Sequence, residues 1–247
     1  MSVLVEEKIV EFLKSKRVVK PKEIEQKFNL SFSTARRYLI KLESRNVIKR
    51  TFGEIVFVDC YKESIDANAN KRILENTLIK QKIAKKAIEF VSNYKTIYLD
   101  SGSSCYFLLE FLNKEIIIYT NSILNASKAI SLGFKNVNII GGSIKNETLS
   151  IVDIDMEFIK KINFPIAFVG VNGIDNYGRL TTPEKREGIT KKIIANKSDL
   201  IVVLAEKYKI NSKSLYDFTP DNKEILVVTD HEQINDVSSE TLHFIYV

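Results

Sequence analysis

Polar residues and glycines recur directly after a series of apolar, β-branched segments of this chain. Four such groups read DSGSS at 100–104, TNS at 120–122, GGS at 141–143 and GVNGID at 170–175, and a fifth, LAEKYK at 204–209, adds lysines. A glycine- and serine-rich turn that enters a helix offers free backbone N–H groups, hydroxyls and the positive end of the helix, and these favour a phosphate. Together the five groups predict a site for a phosphorylated polyhydroxy compound.

The elements that carry these groups alternate between strands and helices. Strands are predicted at 96–100, 116–120, 137–140, 166–170, 200–204, 225–229 and 243–247, with amphipathic segments at 103–112, 122–132, 155–162 and 184–197 between them, and one longer helix is predicted over 71–93. This alternation is typical of a doubly wound, largely parallel α/β sheet, in which ligands bind beyond the carboxyl ends of the strands. The polar groups are therefore expected to meet at one edge of the sheet.

The first fifty residues carry a charge that the remainder of the chain lacks. They contain 13 Lys and Arg against 6 Asp and Glu, a net charge of +7, whereas residues 51–247 contain 24 against 25. A basic segment joined to a nearly neutral one is typical of a protein that binds nucleic-acid phosphates with one end. Charge alone also fits a solvated basic face, so the assignment depends on the pattern of elements.

Three short helices are predicted in the basic segment, beginning near Val3, at Pro21 and after Ser31. Proline suits the first turn of a helix, and a serine hydroxyl can cap one. A short helix, a turn and a basic capped helix form a helix-turn-helix pattern, whose last helix lies in the major groove, where arginine suits guanine and phosphate. Residues 47–58, with Gly53 at the bend, predict a β-hairpin wing. A three-helix core with a solvated basic face is the alternative.

These patterns divide the chain into two domains. We expect a winged helix-turn-helix DNA-binding domain over residues 1–58 and an effector-binding domain over residues 71–247. The polar stretch at 59–70 has no apolar periodicity and is predicted to be a linker.

Composition excludes several other classes of protein. No apolar run approaches the roughly 20 residues of a membrane-spanning helix, and the start of the chain lacks the basic region and cleavage site of a secretory signal. Two cysteines and two histidines make neither a disulfide framework nor a zinc site. We therefore expect a cytoplasmic protein with no metal, no cofactor and no membrane partner.

The stretch STARRYLIKLESRNVIKR at 33–50 resembles the winged helix-turn-helix of the DeoR family, whose recognition helix typically reads T-I-R-R-D-L-x-x-L. Tyr38 stands in place of the family's acidic residue, and Phe52-Gly53-Glu54 stands where the wing usually has H-G-G. The predicted DNA-contacting residues are Ser33, Thr34, Arg36, Arg37, Tyr38, Lys41, Lys49 and Arg50.

The second part of the chain resembles the sensor domain of the same family. DSGSS, TNS, GGS, GVNGID, RLTTP, EGITK and LAEKYK stand in the order in which that domain typically shows D-x-G-T-T, T-N-S, G-G, G-A-D-G-I-D, G-L-T-T-P, E-A-x-x-K and L-A-D-x-S-K. The resemblance implies a fold like that of ribose-5-phosphate isomerase and a phosphorylated sugar as effector. It also implies a homodimer or homotetramer on paired operator sites in double-stranded DNA. The candidate effector-binding residues are Asp100, Gly102, Ser103, Ser104, Asn121, Gly141, Gly142, Asn172, Gly173, Asp175, Lys191 and Lys209.

These observations lead to a transcription regulator, expected to be a repressor of a sugar-metabolism operon that a phosphorylated sugar relieves. The chain departs from the family at Asn172 (usually Asp), Asp153 (usually Gly) and Tyr208 (usually Ser). One alternative is a sugar-phosphate isomerase with a basic appendage, with Glu184 as base and Lys209 as electrostatic partner. Another is an RNA-binding or scaffold protein, which the lack of an aromatic-rich stacking sheet disfavours.

Overall fold

The computed structural model describes residues 3–16, 18–44, 47–51, 53–57, 69–91, 94–230, 237 and 239–247. The chain forms two compact units, Met1–Lys62 and Glu63–Val247. The predicted linker at 59–70 lies outside the described residues except for its last two, which already belong to a helix. Within the described ranges, no helix combines the length and apolar character needed to cross a membrane.

The first unit combines three helices with a small antiparallel sheet. Its elements are α1 (Val3–Lys16), β1 (Val18–Val19), α2 (Pro21–Phe28), α3 (Phe32–Ser44), β2 (Ile48–Thr51) and β3 (Glu54–Phe57). Strand β3 pairs with both β1 and β2. The predicted wing is therefore confirmed as the β2–β3 hairpin, and Gly53 lies at its bend with a φ of +76°.

Local sequence signals set the bounds of these helices. Pro21 opens α2, where its missing N–H would have no helical partner, and Asn29 ends it in the left-handed conformation with a φ of +50°. The Ser31 hydroxyl accepts a hydrogen bond from the Thr34 N–H at 3.3 Å, as a residue that caps α3 should. The core of the unit is apolar, and its fully buried members include Ile9, Leu13, Ile24, Leu42, Ile48 and Ile55.

The second unit is built on a seven-stranded sheet. Its helices are α4 (Ala69–Leu74), α5 (Thr77–Ala87), α6 (Ser103–Leu108), α7 (Ile123–Ser131), α8 (Met156–Lys160) and α9 (Lys185–Asn196), with 3-10 turns at Ile88–Val91 and Lys207–Lys209. Its strands are β4 (Thr96–Leu99), β5 (Ile117–Thr120), β6 (Val137–Ile139), β7 (Ser143–Lys145), β8 (Ser150–Val152), β9 (Phe164–Gly170), β10 (Gly173–Ile174), β11 (Leu180–Thr182), β12 (Ser198–Ala205), β13 (Tyr216–Asp217), β14 (Ile225–Thr229) and β15 (Leu242–Tyr246).

Every neighbouring pair of strands in the large sheet is parallel, and the strand order is β15-β14-β12-β9-β4-β5-β6. Both faces are covered. Ile166 and Phe168 of β9 pack into a core shared with α5, α6 and α7, whereas Ala167 and Val169 pack into a core shared with α8 and α9. The predicted doubly wound architecture is confirmed, and each predicted strand is present within two residues of its expected bounds.

The structure differs from the sequence expectation in two places. The helix predicted over 71–93 is broken between α4 and α5, because Asn76 adopts a left-handed φ of +52° and its side chain donates a hydrogen bond to Glu206. The sequence pattern predicts neither a strand nor a helix around 143–152 or 173–182. These segments instead form the β7–β8 hairpin and, with β13, the three-stranded sheet β10-β11-β13.

Candidate functional site

A cleft of about 590 Å³, open to solvent, lies at the carboxyl ends of β4, β9 and β12. Its walls are predominantly polar and carry four cationic side chains. The lining residues are Arg72, Glu75, Lys80, Ser101, Gly102, Ser103, Ser104, Gly170, Val171, Asn172, Glu187, Lys191, Glu206, Tyr208 and Lys209.

Backbone forms the floor of the cleft where β4 and β9 end. Gly102 precedes α6, and a Cβ built on it would lie 3.2 Å from the Gly170 α-carbon, so neither position has room for a side chain without a shift. The first-turn N–H groups of a helix have no helical acceptors. The turn from Ser101 to Ser104 therefore brings hydroxyls and backbone donors to the cleft.

A buried ion pair lies beneath this floor. Lys191 Nζ pairs with Asp100 Oδ2 and donates a hydrogen bond to the Gly170 carbonyl at 2.9 Å, and the two side chains are 6% and 1% exposed. The same Asp100 oxygen accepts the Gly170 N–H at 2.9 Å. Asp100 neutralises the charge of Lys191. Because both side chains also bind the backbone of Gly170, the pair fixes the position of the end of β9.

Glu206 organises the opposite side of the cleft. Its Oε1 lies 3.6 Å from Lys80 Nζ and 4.0 Å from Lys209 Nζ, and its Oε2 accepts a hydrogen bond from Asn76 at 2.7 Å. Burial lowers the pKa of Lys209 to about 8, against the opposing effect of Glu206. Burial also lowers the pKa of Lys80. Two desolvated ammonium groups therefore share one carboxylate.

Glu187 places a carboxylate against the cleft from α9. Burial raises its pKa, but the ammonium groups of Lys191 and Lys145 outweigh that effect, so the pKa is lowered overall. Lys145 Nζ lies 3.1 Å from Glu187 Oε1. The hydroxyls of Ser150 and Thr182 lie 3.5 Å from its carboxylate oxygens. An ionised carboxylate among hydroxyls is suited to accept hydrogen bonds from a polyol.

Half of the predicted effector-binding residues line this cleft, and one more lies just beneath it. The lining set is Gly102, Ser103, Ser104, Asn172, Lys191 and Lys209, and Asp100 lies below. The Asn172 oxygen accepts a hydrogen bond from Thr182 at 3.2 Å. The other five predicted residues lie elsewhere.

Asn121, Gly141 and Gly142 are correctly placed at strand ends, but they do not line the cleft. The Asn121 side chain donates to the Ile151 carbonyl at 3.1 Å, and its backbone carbonyl accepts the Ile151 N–H at 2.7 Å. A Cβ on Gly142 would lie 2.4 Å from the Val152 carbonyl oxygen, so this glycine admits the neighbouring hairpin. Asn121 and Gly142 therefore help to position the β7–β8 hairpin, and Gly141 is exposed beside it.

Gly173 and Asp175 do not line the cleft either, and each has a structural role instead. A Cβ on Gly173 would meet the Ser212 carbonyl oxygen at 2.5 Å. The Asp175 carboxylate accepts the N–H groups of Tyr177 and Arg179 at 3.0 Å each and pairs with the Arg179 guanidinium, contacts that lower its pKa despite burial. Asp175 therefore stabilises the β10–β11 turn, and its role as an effector ligand is corrected.

Several cleft residues were not among the sequence-derived candidates. They are Arg72, Glu75, Lys80, Ser101, Gly170, Val171, Glu187, Glu206 and Tyr208. Six of them lie within the recognised motifs, namely Ser101, Gly170, Val171, Glu187, Glu206 and Tyr208. Arg72 and Lys80 belong to the helical stretch before the first motif, where nothing in the local pattern distinguishes a cleft lysine from a surface one.

The isomerase alternative required Glu184 as its base. Its carboxylate instead accepts the Glu187 N–H at 2.8 Å and caps α9, and Glu184 is not among the lining residues. Among the described residues, no cluster of three or more His, Cys, Asp or Glu side chains is arranged to hold a metal ion. The cleft is lined by cations, carboxylates, hydroxyls and backbone groups.

The recognition helix α3 in the first unit presents its basic side chains to solvent. Ser33, Arg36 and Arg37 are exposed and Thr34 is half-buried, as a surface that reads DNA requires. On the wing, Lys49 and Arg50 are exposed. This surface has the two parts that a winged helix-turn-helix uses, a helix for the groove and a hairpin for the backbone.

Three of the predicted DNA-contacting residues have other partners in the structure. Tyr38 is 3% exposed and packs in the core of the unit, so its assignment to the DNA surface is corrected. Spacing explains this burial, since Tyr38 lies three residues after Ala35 and four before Leu42, on the apolar face of α3. Lys41 forms an ion pair with Glu6, and Arg50 Nε donates to Glu43 at 2.7 Å.

Comparison with known proteins identifies the class that these two sites define. Residues 6–60 match the DeoR-like helix-turn-helix domain, and residues 75–231 match the DeoR C terminal sensor domain. Together they define a transcriptional regulator with a DNA-reading unit and a sensor unit. The chain belongs to the DeoR family.

Two relatives align with this chain over most of their length. The HTH-type transcriptional regulator IolR of Bacillus subtilis is 30% identical over 89% of this chain and 87% of the relative. The glycerol-3-phosphate regulon repressor of Escherichia coli is 24% identical over 84% and 82% of the two chains. Ribose 5-phosphate isomerase from Plasmodium falciparum overlaps 54% of this chain and 52% of its own at 21% identity and a TM-score of 0.40.

Proposed function

We propose that this regulator represses an operon of carbohydrate or polyol phosphate metabolism and releases its operator when a phosphorylated sugar binds the cleft. The observation that carries the proposal is the composition of the cleft, which combines four cations and a Ser-Gly-Ser turn with the carboxylate of Glu187 and the amide of Asn172. Cations and hydroxyl donors suit a phosphate, while carboxylate and amide oxygens accept hydrogen bonds from sugar hydroxyls.

The relatives support the same class of effector and the same direction of control. One is named as a glycerol-3-phosphate regulon repressor and another as a putative aga operon transcriptional repressor. For this chain we further infer that the cleft senses its ligand without converting it, since Glu184 is committed to capping α9. We also infer a homodimer or homotetramer on paired half-sites, at work in the cytoplasm.

A thermal-shift screen tests the sensor half of the proposal. The full chain is heated with a panel of pentose, hexose and polyol phosphates, each paired with its unphosphorylated parent. A ligand that binds only the folded state raises the melting temperature, so we expect a selective rise with one phosphate ester and none with its parent. The doubly substituted Ser103→Ala, Lys209→Ala chain should lose this rise. A panel without any response contradicts the proposal.

DNA binding is tested on fragments selected from random duplexes by the chain itself. We expect fluorescence anisotropy to show binding that weakens steeply with salt, because phosphate contacts release counterions. The ester that raises the melting temperature should also release the duplex. A promoter–reporter fusion carrying the selected sequence then gives the direction of control: expression that rises in the presence of the chain would contradict repression.

A further inference from the structure

Arg72 differs from the other cations of the cleft in its electrostatic surroundings. Lys191 is paired with Asp100, and Lys80 and Lys209 share Glu206. Among the residues that the structure describes, no acceptor lies within hydrogen-bonding distance of the buried Arg72 Nε. A buried donor left without an acceptor is costly, so it is a natural position for a ligand atom.

Arg72 is also placed where a phosphate would lie. It lines the main cleft together with Ser101, Gly102 and Ser103, and the same four residues line a smaller adjoining hollow. Arg72 therefore lies beside the Ser-Gly-Ser turn, and its charge also contributes to lowering the pKa of Glu187. Arginine binds phosphate in a bidentate fashion that a lysine cannot reproduce.

The backbone around Arg72 is held by the charges of the cleft. Lys80 Nζ donates to the carbonyl of Arg72 at 2.7 Å and to that of Glu75, so one buried ammonium fastens the end of α4. Asn76, at the break before α5, is tied to Glu206. An anion that attracts Lys80 and Lys209 competes with Glu206 for both, and thereby acts on the contacts that position α4.

Helix α4 is the first described element after residues 58–68, which follow the wing of the first unit. We propose that Arg72 binds the phosphate of the effector and that this contact repositions α4, the element through which the chain enters the sensor unit. The inference rests on the proposed function, and it names the residue and the helix through which the ligand acts. A ligand that moves α4 has different affinities for the two positions of this helix, and that difference is what couples binding to a change of state.

Substitution of Arg72 tests the contact. Dissociation constants for inorganic phosphate and for the ester with the largest thermal shift are measured by calorimetry on the full chain, for wild type and for Arg72→Gln, Arg72→Lys and Lys71→Gln. Lys71 is exposed on the same helix and does not line the cleft, so its substitution removes an equal charge as a matched control. We expect Arg72→Gln to weaken binding of the ester by about tenfold or more, Arg72→Lys to lie between, and Lys71→Gln to remain within about twofold of wild type.

Hydrogen exchange on the same samples tests the coupling. Amides of residues 69–76 should change their exchange rates when the ester saturates wild type, and the Lys71→Gln chain should behave in the same way. Equal affinity in wild type, Arg72→Gln and Arg72→Lys would overturn the contact, and unchanged exchange over 69–76 would overturn the role of α4. A wild type that binds no phosphate compound at all fails at the earlier step and overturns the proposed function itself.

Discussion

Gly102 and Gly170 approach so closely that a Cβ on either would lie 3.2 Å from the α-carbon of the other. Gly102 lies in the turn after β4, and Gly170 is the last residue of the neighbouring strand β9. Their contact lets Asp100 accept the Gly170 N–H and lets Lys191 reach the carbonyl of the same residue. The floor of the cleft is therefore backbone against backbone.

Gly102→Ala should force these strand ends apart. Overpacking of this kind typically costs about 1–3 kcal/mol of stability, and we expect affinity for the effector to fall with it. Chemical denaturation and calorimetry measure the two effects. Gly141→Ala is the matched control, since a Cβ there meets nothing within 4 Å. A Gly102→Ala chain as stable as wild type would show that the floor tolerates the shift.

Arg37→Ala should abolish binding to the selected duplex while leaving the thermal shift with the effector intact, because Arg37 is exposed on α3 in the DNA-reading unit. Anisotropy over a range of salt concentrations should also show a shallower salt dependence if a phosphate contact is lost. Lys185→Ala removes one exposed positive charge from the sensor unit as a control. Wild-type affinity in the Arg37→Ala chain would mean that α3 is not the recognition helix.

Substitutions of Tyr38 test whether this residue belongs to the core of the first unit or to its DNA-contacting surface. Because it is buried with Leu39 and Leu42, Tyr38→Ala should destabilise the first unit by about 3 kcal/mol, the lower end for removing a buried aromatic ring. Tyr38→Phe should retain the fold and the affinity for DNA. Loss of DNA binding in a stably folded Tyr38→Phe chain would instead mean that the Tyr38 hydroxyl contacts DNA.

The Lys191–Asp100 pair should behave as a buried unit. Lys191→Met leaves the Asp100 carboxylate buried without its cation, which typically costs about 3–5 kcal/mol. Adding Asp100→Asn removes the unpaired charge and should recover part of the lost stability. Urea denaturation of the four chains in this double-mutant cycle gives the coupling energy. Additive losses would show that the two side chains do not act together.

Effector affinity should depend on the ionisation of Lys209. Its pKa is lowered to about 8, so the ammonium that attracts a phosphate is lost as the pH rises through that value. Binding is expected to be strongest below about pH 8 and to weaken by at most about tenfold per unit above it. Lys209→Arg keeps its charge throughout and should flatten the profile. Calorimetry between pH 7 and 9.5 makes the comparison, and a flat wild-type profile would contradict it.

The large elements could be predicted from sequence because each buried strand of the sheet has an apolar, β-branched run. The β7–β8 hairpin and the β10–β11 pair could not, since strands of two or three residues show no periodicity. Asp153 is instructive: it stands where the resemblance implies glycine, and its φ of +50° lies in the left-handed region that glycine adopts freely.

The candidate site was predicted less completely than the fold. A polar residue at a strand end can serve a ligand or satisfy nearby backbone, and its type does not distinguish the two uses. Asn121 and Asp175 bind backbone groups, whereas Ser103 and Asn172 line the cleft. Arg72 lines the cleft from α4, which ends before the break at Asn76, and helical periodicity does not predict a left-handed asparagine.

The central place of β9 in the sheet has a consequence for synthesis of the protein. Ala167 of β9 pairs with Tyr98 of β4, and Lys209, which also lines the cleft, lies still later in the chain. The cleft is therefore complete only after Lys209 has emerged from the ribosome. The described core of the first unit ends at Phe57 of its wing. At typical translation rates, roughly ten seconds separate the two events. A nascent chain thus completes the described part of its helix-turn-helix unit well before it completes the cleft of its sensor unit.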